Sequence, residues 1–235
     1  MLTVSILSIF PGMFAPVLSI GMIGRAIERE SLAVEAIDLR DFSANKHRTV
    51  DDTPYGGGSG MVMMAEPIIS ALKSIQGKYP NTYRILLTPS GAPLNQEKVK
   101  RLAAYSHLTF VCGRYEGVDE RVSRYIDEEI SIGDYILTGG ELGALVIIDA
   151  VTRLQPGVLN NALSTSEESF ENGLLEYPQY TKPAMVDGME VPATLLSGNH
   201  EQVKRWRRAQ SLQRTQLKRP DLFSKLVLSD EEKKL

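Results

Sequence analysis

Apolar positions come along this chain in short β-branched runs closed by turn residues, with stretches of helical spacing between them. The first run, residues 2–9, ends at Pro11-Gly12 and gives way to Ile23, Ala26 and Ile27, where the second and third lie three and four residues beyond the first, the spacing of one helix face. Residues 32–39 alternate again. Strand, helix, strand in that order predicts an α/β layer architecture with parallel pairing, because a strand rejoins its predecessor in parallel only through a crossover. Three further runs each enter a glycine-bearing loop. Residues 83–87 lead into Thr88-Pro89-Ser90-Gly91, 108–112 into Gly113-Arg114-Tyr115-Glu116-Gly117, and 129–132 into Gly133-Asp134-Tyr135-Ile136-Leu137-Thr138-Gly139-Gly140. Open α/β sheets bind ligands at the carboxyl ends of their strands, so three such loops in succession predict one cofactor pocket.

The remaining pattern sets the domain organisation. Residues 47–64 read as loop around a glycine-rich centre, Pro54 to Gly60. Residues 141–154 are apolar nearly all round and predict a buried helix stopped by Pro156-Gly157. Residues 160–172 are polar, with only Ala162, Leu163 and Phe170 to bury, and read as a mobile linker. This divides the chain into a domain at 1–159, a linker at 160–172 and a small, mostly helical domain at 173–235 that carries a basic stretch around Trp206.

Composition narrows the class. At 235 residues, with 43% hydrophobic and 23% charged positions, the chain matches an ordinary globular protein with a core of its own. Its single cysteine, Cys112, excludes an intramolecular disulfide or a cysteine-cluster zinc site and points to a reducing cytoplasm. The first basic residue is Arg25, so the charged start of a signal peptide is missing, and no apolar run is long enough to span a bilayer. Net charge is −3, yet residues 200–219 hold seven basic side chains against Glu201 and sum to +6, which leaves −9 on the rest. An acidic body with one concentrated basic stretch suits a polyanion such as nucleic acid.

Absent residues remove several chemistries. The glycine run at 56–60 lacks the Lys-Ser/Thr ending of a phosphate-binding P-loop, and no G-x-G-x-x-G spacing occurs. His47, His107 and His200 lie far apart and read as surface or structural histidines, and Cys112 ends an apolar strand and reads as core. A glycine-rich pocket with few charges suits a compact, uncharged-to-zwitterionic cofactor. Exposed backbone groups can read an adenine edge, and Glu116 or Asp134 can meet an ammonium or a ribose.

Longer motifs are more specific. HRTVDDTPYGGGSGM at 47–61, CGRYEGVDER at 112–121, SIGDYILTGGE at 131–141, YPQYTKP at 177–183, LLSGNH at 195–200 and RPDL at 219–222 together resemble the bacterial tRNA (guanine-N1)-methyltransferases, the TrmD family of the SPOUT superfamily. The resemblance runs in order from about residue 10 to residue 222. It implies an α/β SPOUT-type parallel sheet with a deep trefoil knot, a topology that periodicity cannot reveal and that the rarity of true knots argues against. It also implies S-adenosylmethionine held bent among the knot loops, a homodimer that builds each site from both chains, and methylation at N1 of the guanosine immediately 3′ of the tRNA anticodon.

By the same resemblance Leu87, Pro89, Gly113, Ile132, Gly133, Tyr135, Ile136, Leu137 and Gly140 belong to the cofactor loops, Glu116 faces the methionine end, and Arg153 is the catalytic arginine. Guanine N1 carries a proton that a base must remove while charge develops on O6, so a carboxylate and a fixed cation meet the chemical need. The family's aspartate before Ser-Phe is replaced here by Glu168, with Glu167 adjacent, and either can be the base. Lys182 stands where the family usually has arginine, which keeps a charge but loses a bidentate fork. A Mg2+ requirement is implied too, though no ligand cluster in the sequence predicts it. Lys204, Arg205, Arg207, Arg208 and Arg214 are the expected phosphate contacts. Two other readings stay open: another SPOUT-type RNA methyltransferase with a different target atom, and a tRNA-binding protein without catalysis.

Overall fold

Strand β1 (Leu2–Ser8) is buried along nearly its whole length, as a parallel strand covered on both faces must be. The computed structural model to which it belongs describes residues 1–159, 168–230 and 232. The chain divides into two compact units, Met1–Asn160 and Asn161–Leu235.

In the first unit β1 is followed by β2 (Leu32–Asp38), the two-residue strands β3 (Asp51–Asp52) and β4 (Val62–Met63), then β5 (Tyr83–Pro93), β6 (His107–Cys112) and β7 (Glu128–Ser131). Its helices are α1 (Ala15–Leu18), α2 (Gly21–Glu28), α3 (Ala65–Lys78), α4 (Gln96–Ala103) and α5 (Glu141–Thr152). Five strands make one parallel sheet in the order β2-β1-β6-β5-β7. Successive side chains point to opposite faces of a strand, and the core divides accordingly. Val4, Ile6, Ile85, Leu87, Leu108 and Phe110 pack with Ile23 of α2, Leu102 of α4 and Ile147, Ile148 and Val151 of α5. Leu7, Leu86 and Val111 face the other way, onto Ile68, Leu72 and Ile75 of α3. The layers are therefore helix, sheet, helix.

Three departures from the sequence pattern have local causes. The helical spacing after Pro11 is broken into α1 and α2 because Gly21, at φ +66, turns the chain between them. Strand β5 outruns its predicted end at Leu87: residues 88–91 bulge out, and pairing resumes so that Leu87 and Ala92 both oppose Ile130. Glycine is required at 91, where a Cβ would come within 2.4 Å of the Ile130 nitrogen. Helix α5 is not buried all round. Leu142 and Val146, four residues apart, are 52% and 47% exposed while Ile147, Ile148 and Val151 are fully buried.

The second unit holds a hairpin of β8 (Met185–Val186) and β9 (Met189–Glu190), then α6 (Ala193–Leu196), α7 (His200–Lys218) and α8 (Pro220–Phe223). The hairpin turn is Asp187-Gly188, at φ +51 and +73, the left-handed pair that a two-residue turn needs. Asn199 caps α7 by accepting the Gln202 N–H at 3.1 Å. Thr215 of α7 accepts the Leu175 N–H at 2.8 Å and so ties the incoming chain to the helix. Of the expected linker, 160–167 lie outside the described residues. Residues 168–172 form a turn within this unit, closed by the Phe170 N–H on the Leu174 carbonyl at 2.8 Å. Among the described residues no helix is long and apolar enough to cross a membrane.

Candidate active site

A cavity of about 690 Å³ opens at the bulge of β5 and beyond the ends of β6 and β7, a size usual for small-molecule sites. Ten of the eleven expected cofactor residues line it: Leu87, Pro89, Gly113, Glu116, Ile132, Gly133, Tyr135, Ile136, Leu137 and Gly140. Asp134 does not; its side chain is exposed and outside the lining. Ser90, Arg114, Tyr115 and Thr138 also line the cavity, although nothing in the sequence pattern singles them out from the loops that carry them.

Each wall is shaped by its own backbone. In the β5 bulge the Thr88 and Ser90 hydroxyls lie 3.0 Å apart, and Ser90 donates to Glu129. After β6 a tight turn, with Tyr115 at φ +60 and the Gly117 N–H on the Arg114 carbonyl at 3.1 Å, presents Glu116. The Glu116 N–H is held by the Met61 carbonyl at 3.0 Å, and its carboxylate rests on Gly60, where a Cβ would lie 2.4 Å from Oε1. The end of the glycine run thus makes room for Glu116. After β7 the Tyr135 ring folds onto Gly133 and its hydroxyl donates to the Ile132 carbonyl at 3.1 Å. Ile136 stays 82% exposed at the mouth. The last two walls meet at Gly140, whose N–H bonds the Gly113 carbonyl at 2.9 Å and whose Cβ would press on Cys112 Cα at 2.9 Å.

The lining carries Glu116, Asp119, Glu120 and Glu129, and its one arginine, Arg114, is already engaged by buried Glu141 at 3.1 Å. Such a donor set suits a ligand with positive charge and an edge to hydrogen-bond. Beneath it Cys112 is fully buried, and burial pushes its thiol well above the ordinary range, which makes it core rather than nucleophile.

The other expected residues are spread more widely. Arg153 is the C-cap of α5 and half-buried, its N–H on the Asp149 carbonyl at 3.3 Å. Glu168 is half-buried at the start of the 168–172 turn, where its carbonyl accepts the Glu171 N–H, and Glu167 lies outside the described residues. Lys182 is exposed. On α7, Lys204 and Arg205 are exposed, Arg207 lies over the Tyr177 ring at 4.6 Å, and Arg208 donates to Glu232 at 2.8 Å. Arg214 is half-buried, with a sequestered Nε that lacks a hydrogen-bond partner among the described residues. No group of three or more His, Cys, Asp or Glu side chains converges among the described residues, so these supply no ready cage for Mg2+.

A parallel α/β sheet with glycine-walled loops round one pocket defines an α/β small-molecule-binding domain, and the pocket's four carboxylates and one arginine are more charge than the few expected from the sequence. The chain belongs to the tRNA (Guanine-1)-methyltransferase TrmD family, whose model matches residues 2–225. It is 53% identical to the tRNA (guanine-N(1)-)-methyltransferase of Dictyoglomus turgidum, over all of this chain and 95% of the relative. It is 52% identical to the protein of that name from Geobacillus kaustophilus, over 98% of this chain and 95% of the relative. With the one from Lacticaseibacillus paracasei it shares 50%, over 99% of this chain and 91% of the relative.

Proposed function

We propose that this protein transfers a methyl group from S-adenosylmethionine to N1 of the guanosine immediately 3′ of the tRNA anticodon. The observation that carries the reading is the pocket formed by the β5 bulge and the loops after β6 and β7, in a chain that matches the family over residues 2–225. When bound, S-adenosylmethionine supplies an electrophilic methyl group on a sulfonium. The backbone edges of the 87–89 and 132–140 loops suit its adenine, and Glu116 suits its ammonium. Glu168 takes the guanine N1 proton, and the Arg153 guanidinium stabilises the charge that develops on O6. Phosphates are met by α7, with Lys204 and Arg205 exposed near its start and Lys218 at its end.

The proposed division of labour gives residues 1–159 the cofactor and residues 173–235 the tRNA, across the 160–172 connection. The family match over residues 2–225 supports a knotted arrangement of the cofactor loops. The exposed Leu142 and Val146 support a second copy of the chain as partner. A single, buried thiol and an RNA substrate suit the cytoplasm.

The test is incubation with labelled S-adenosylmethionine and unmodified tRNA, followed by mapping of the methylated nucleoside. Label on another atom would replace this reading with a different RNA methyltransferase. In single-turnover assays Glu168→Gln is expected to slow transfer by about 10²–10⁴ with cofactor affinity unchanged. A large loss in Glu167→Gln instead would move the base by one residue.

A further inference from the structure

Glu141 is 1% exposed, a carboxylate at the first position of the mostly apolar α5. Burying such a charge is costly unless it is paired and hydrogen-bonded, and here it is both. Oε1 accepts from Ser8 Oγ at 2.7 Å, both carboxylate oxygens accept from Arg114 Nε at 3.1 Å, and Nη2 lies 3.1 Å from Oε2 as an ion pair while donating to Met13 Sδ at 3.4 Å. The guanidinium lies over the Phe10 ring at 4.4 Å, and the Phe10 N–H donates to Ser8 Oγ at 2.9 Å, which closes a cycle. The cycle joins the end of β1, the turn after β6 and the start of α5.

That place matters because both neighbouring pocket walls rest on it. Arg114 opens the turn that presents Glu116, and its carbonyl holds the Gly117 N–H. Arg114 and Gly139 form an isolated antiparallel bridge, and the ion pair lies flat on Gly139, where a Cβ would come within 2.5 Å of both Arg114 Nε and Glu141 Oε2. The pair is therefore packed against the place where the two walls are joined by their own backbones, the Gly140 N–H on the Gly113 carbonyl at 2.9 Å. An apolar side chain at 141 would leave the Arg114 guanidinium without its counter-charge, whereas the carboxylate neutralises it and receives Nε on both oxygens.

We propose that Glu141 is a positioning residue of the methyl-transfer site: through Arg114 it anchors the 113–117 turn against the 132–140 loop and so fixes the aim of Glu116. The proposal rests on the reading of this cavity as the S-adenosylmethionine site.

The experiment titrates wild type, Glu141→Gln, Glu141→Asp and Ser8→Ala with S-adenosylmethionine by calorimetry, with urea midpoints and steady-state kinetics on tRNA alongside. Glu141→Gln is expected to raise the Kd and KM for S-adenosylmethionine about tenfold, with the KM for tRNA unchanged and kcat at saturating cofactor within about threefold. Glu141→Asp should recover most of that affinity, and Ser8→Ala should move it less, in the same direction. A lowered urea midpoint with unchanged cofactor Kd would reduce Glu141 to a structural ion pair and overturn the proposal. Should Glu141→Gln fail to fold, an unchanged Kd in both Ser8→Ala and Glu141→Asp overturns it equally. Wild type that does not bind S-adenosylmethionine would instead sink the cofactor reading, and this inference with it.

Discussion

His107, the first residue of β6, is buried within a chain of side-chain hydrogen bonds. Its ring stacks on Tyr79 at 3.9 Å, Nδ1 lies 2.6 Å from Thr82 Oγ1, Nε2 lies 3.2 Å from Ser5 Oγ, and Thr82 continues the chain to Thr109 at 2.7 Å. Burial, with Lys78 nearby, pushes its pKa down to about 4 from 6.5. Between those values the unfolded chain binds a proton that the folded protein does not, so stability rises with pH across the window. The contribution is complete above the unfolded pKa and is lost as pH falls toward the folded one. Urea unfolding at pH 7 and pH 5 should then differ by about 2 kcal/mol. His107→Asn should remove that difference while lowering stability at both pH values. A variant with the same pH dependence would assign it to another group. This histidine reads as structural from sequence, for want of a partner at ligand spacing; its actual partners, 25 and 102 residues away, are visible only in the fold.

At the scale of elements, what is legible in the sequence is what is local. Strand, glycine loop and helix announce themselves within about ten residues, so the sheet and most of the pocket lining can be read directly. The pairing of Arg114 with Glu141, the return of β5 after its bulge and the exposed strip of α5 depend on distant neighbours and leave no local mark. The β8–β9 hairpin is different: Asp187-Gly188 between Val186 and Met189 is a two-residue turn signal, local and therefore readable, but it is hidden within a stretch expected to be mostly helical. Helix α7 shows what structure adds to a charge count. Its basic side chains look equivalent in sequence, yet Arg207 is spent on Tyr177 and Arg208 on Glu232, whereas Lys204 and Arg205 face solvent. Lys204→Ala/Arg205→Ala should lower the slope of log affinity for tRNA against log salt by about two and leave S-adenosylmethionine binding untouched. An unchanged slope in a salt titration would move the phosphate footprint off this end of α7.

At the scale of the molecule, the proposed chemistry requires the base in one unit to meet the cofactor in the other. Helix α5 turns Ile147, Ile148 and Val151 inward and leaves Leu142 and Val146 in solvent, two apolar side chains that a second copy of the chain would take out of water. If a second copy covers it, closed two-fold symmetry gives two equivalent sites, each able to draw Arg153 from one chain and Glu168 from the other. That arrangement has a distinctive consequence. Arg153→Ala and Glu168→Gln homodimers should each be nearly inactive, but a heterodimer of the two concentrates both lesions in one site and leaves the other intact. Mixing equal amounts, with subunit exchange, should therefore restore about a quarter of wild-type activity, since half the dimers are mixed and each holds one good site. If both residues came from a single chain, no site in any mixture would be whole, and activity would stay at the level of the parents. Leu142→Glu/Val146→Glu separates the remaining cause of failure: a dimer built on α5 should fall apart in sedimentation and lose methyl transfer together, whereas an active monomer would show that one chain suffices.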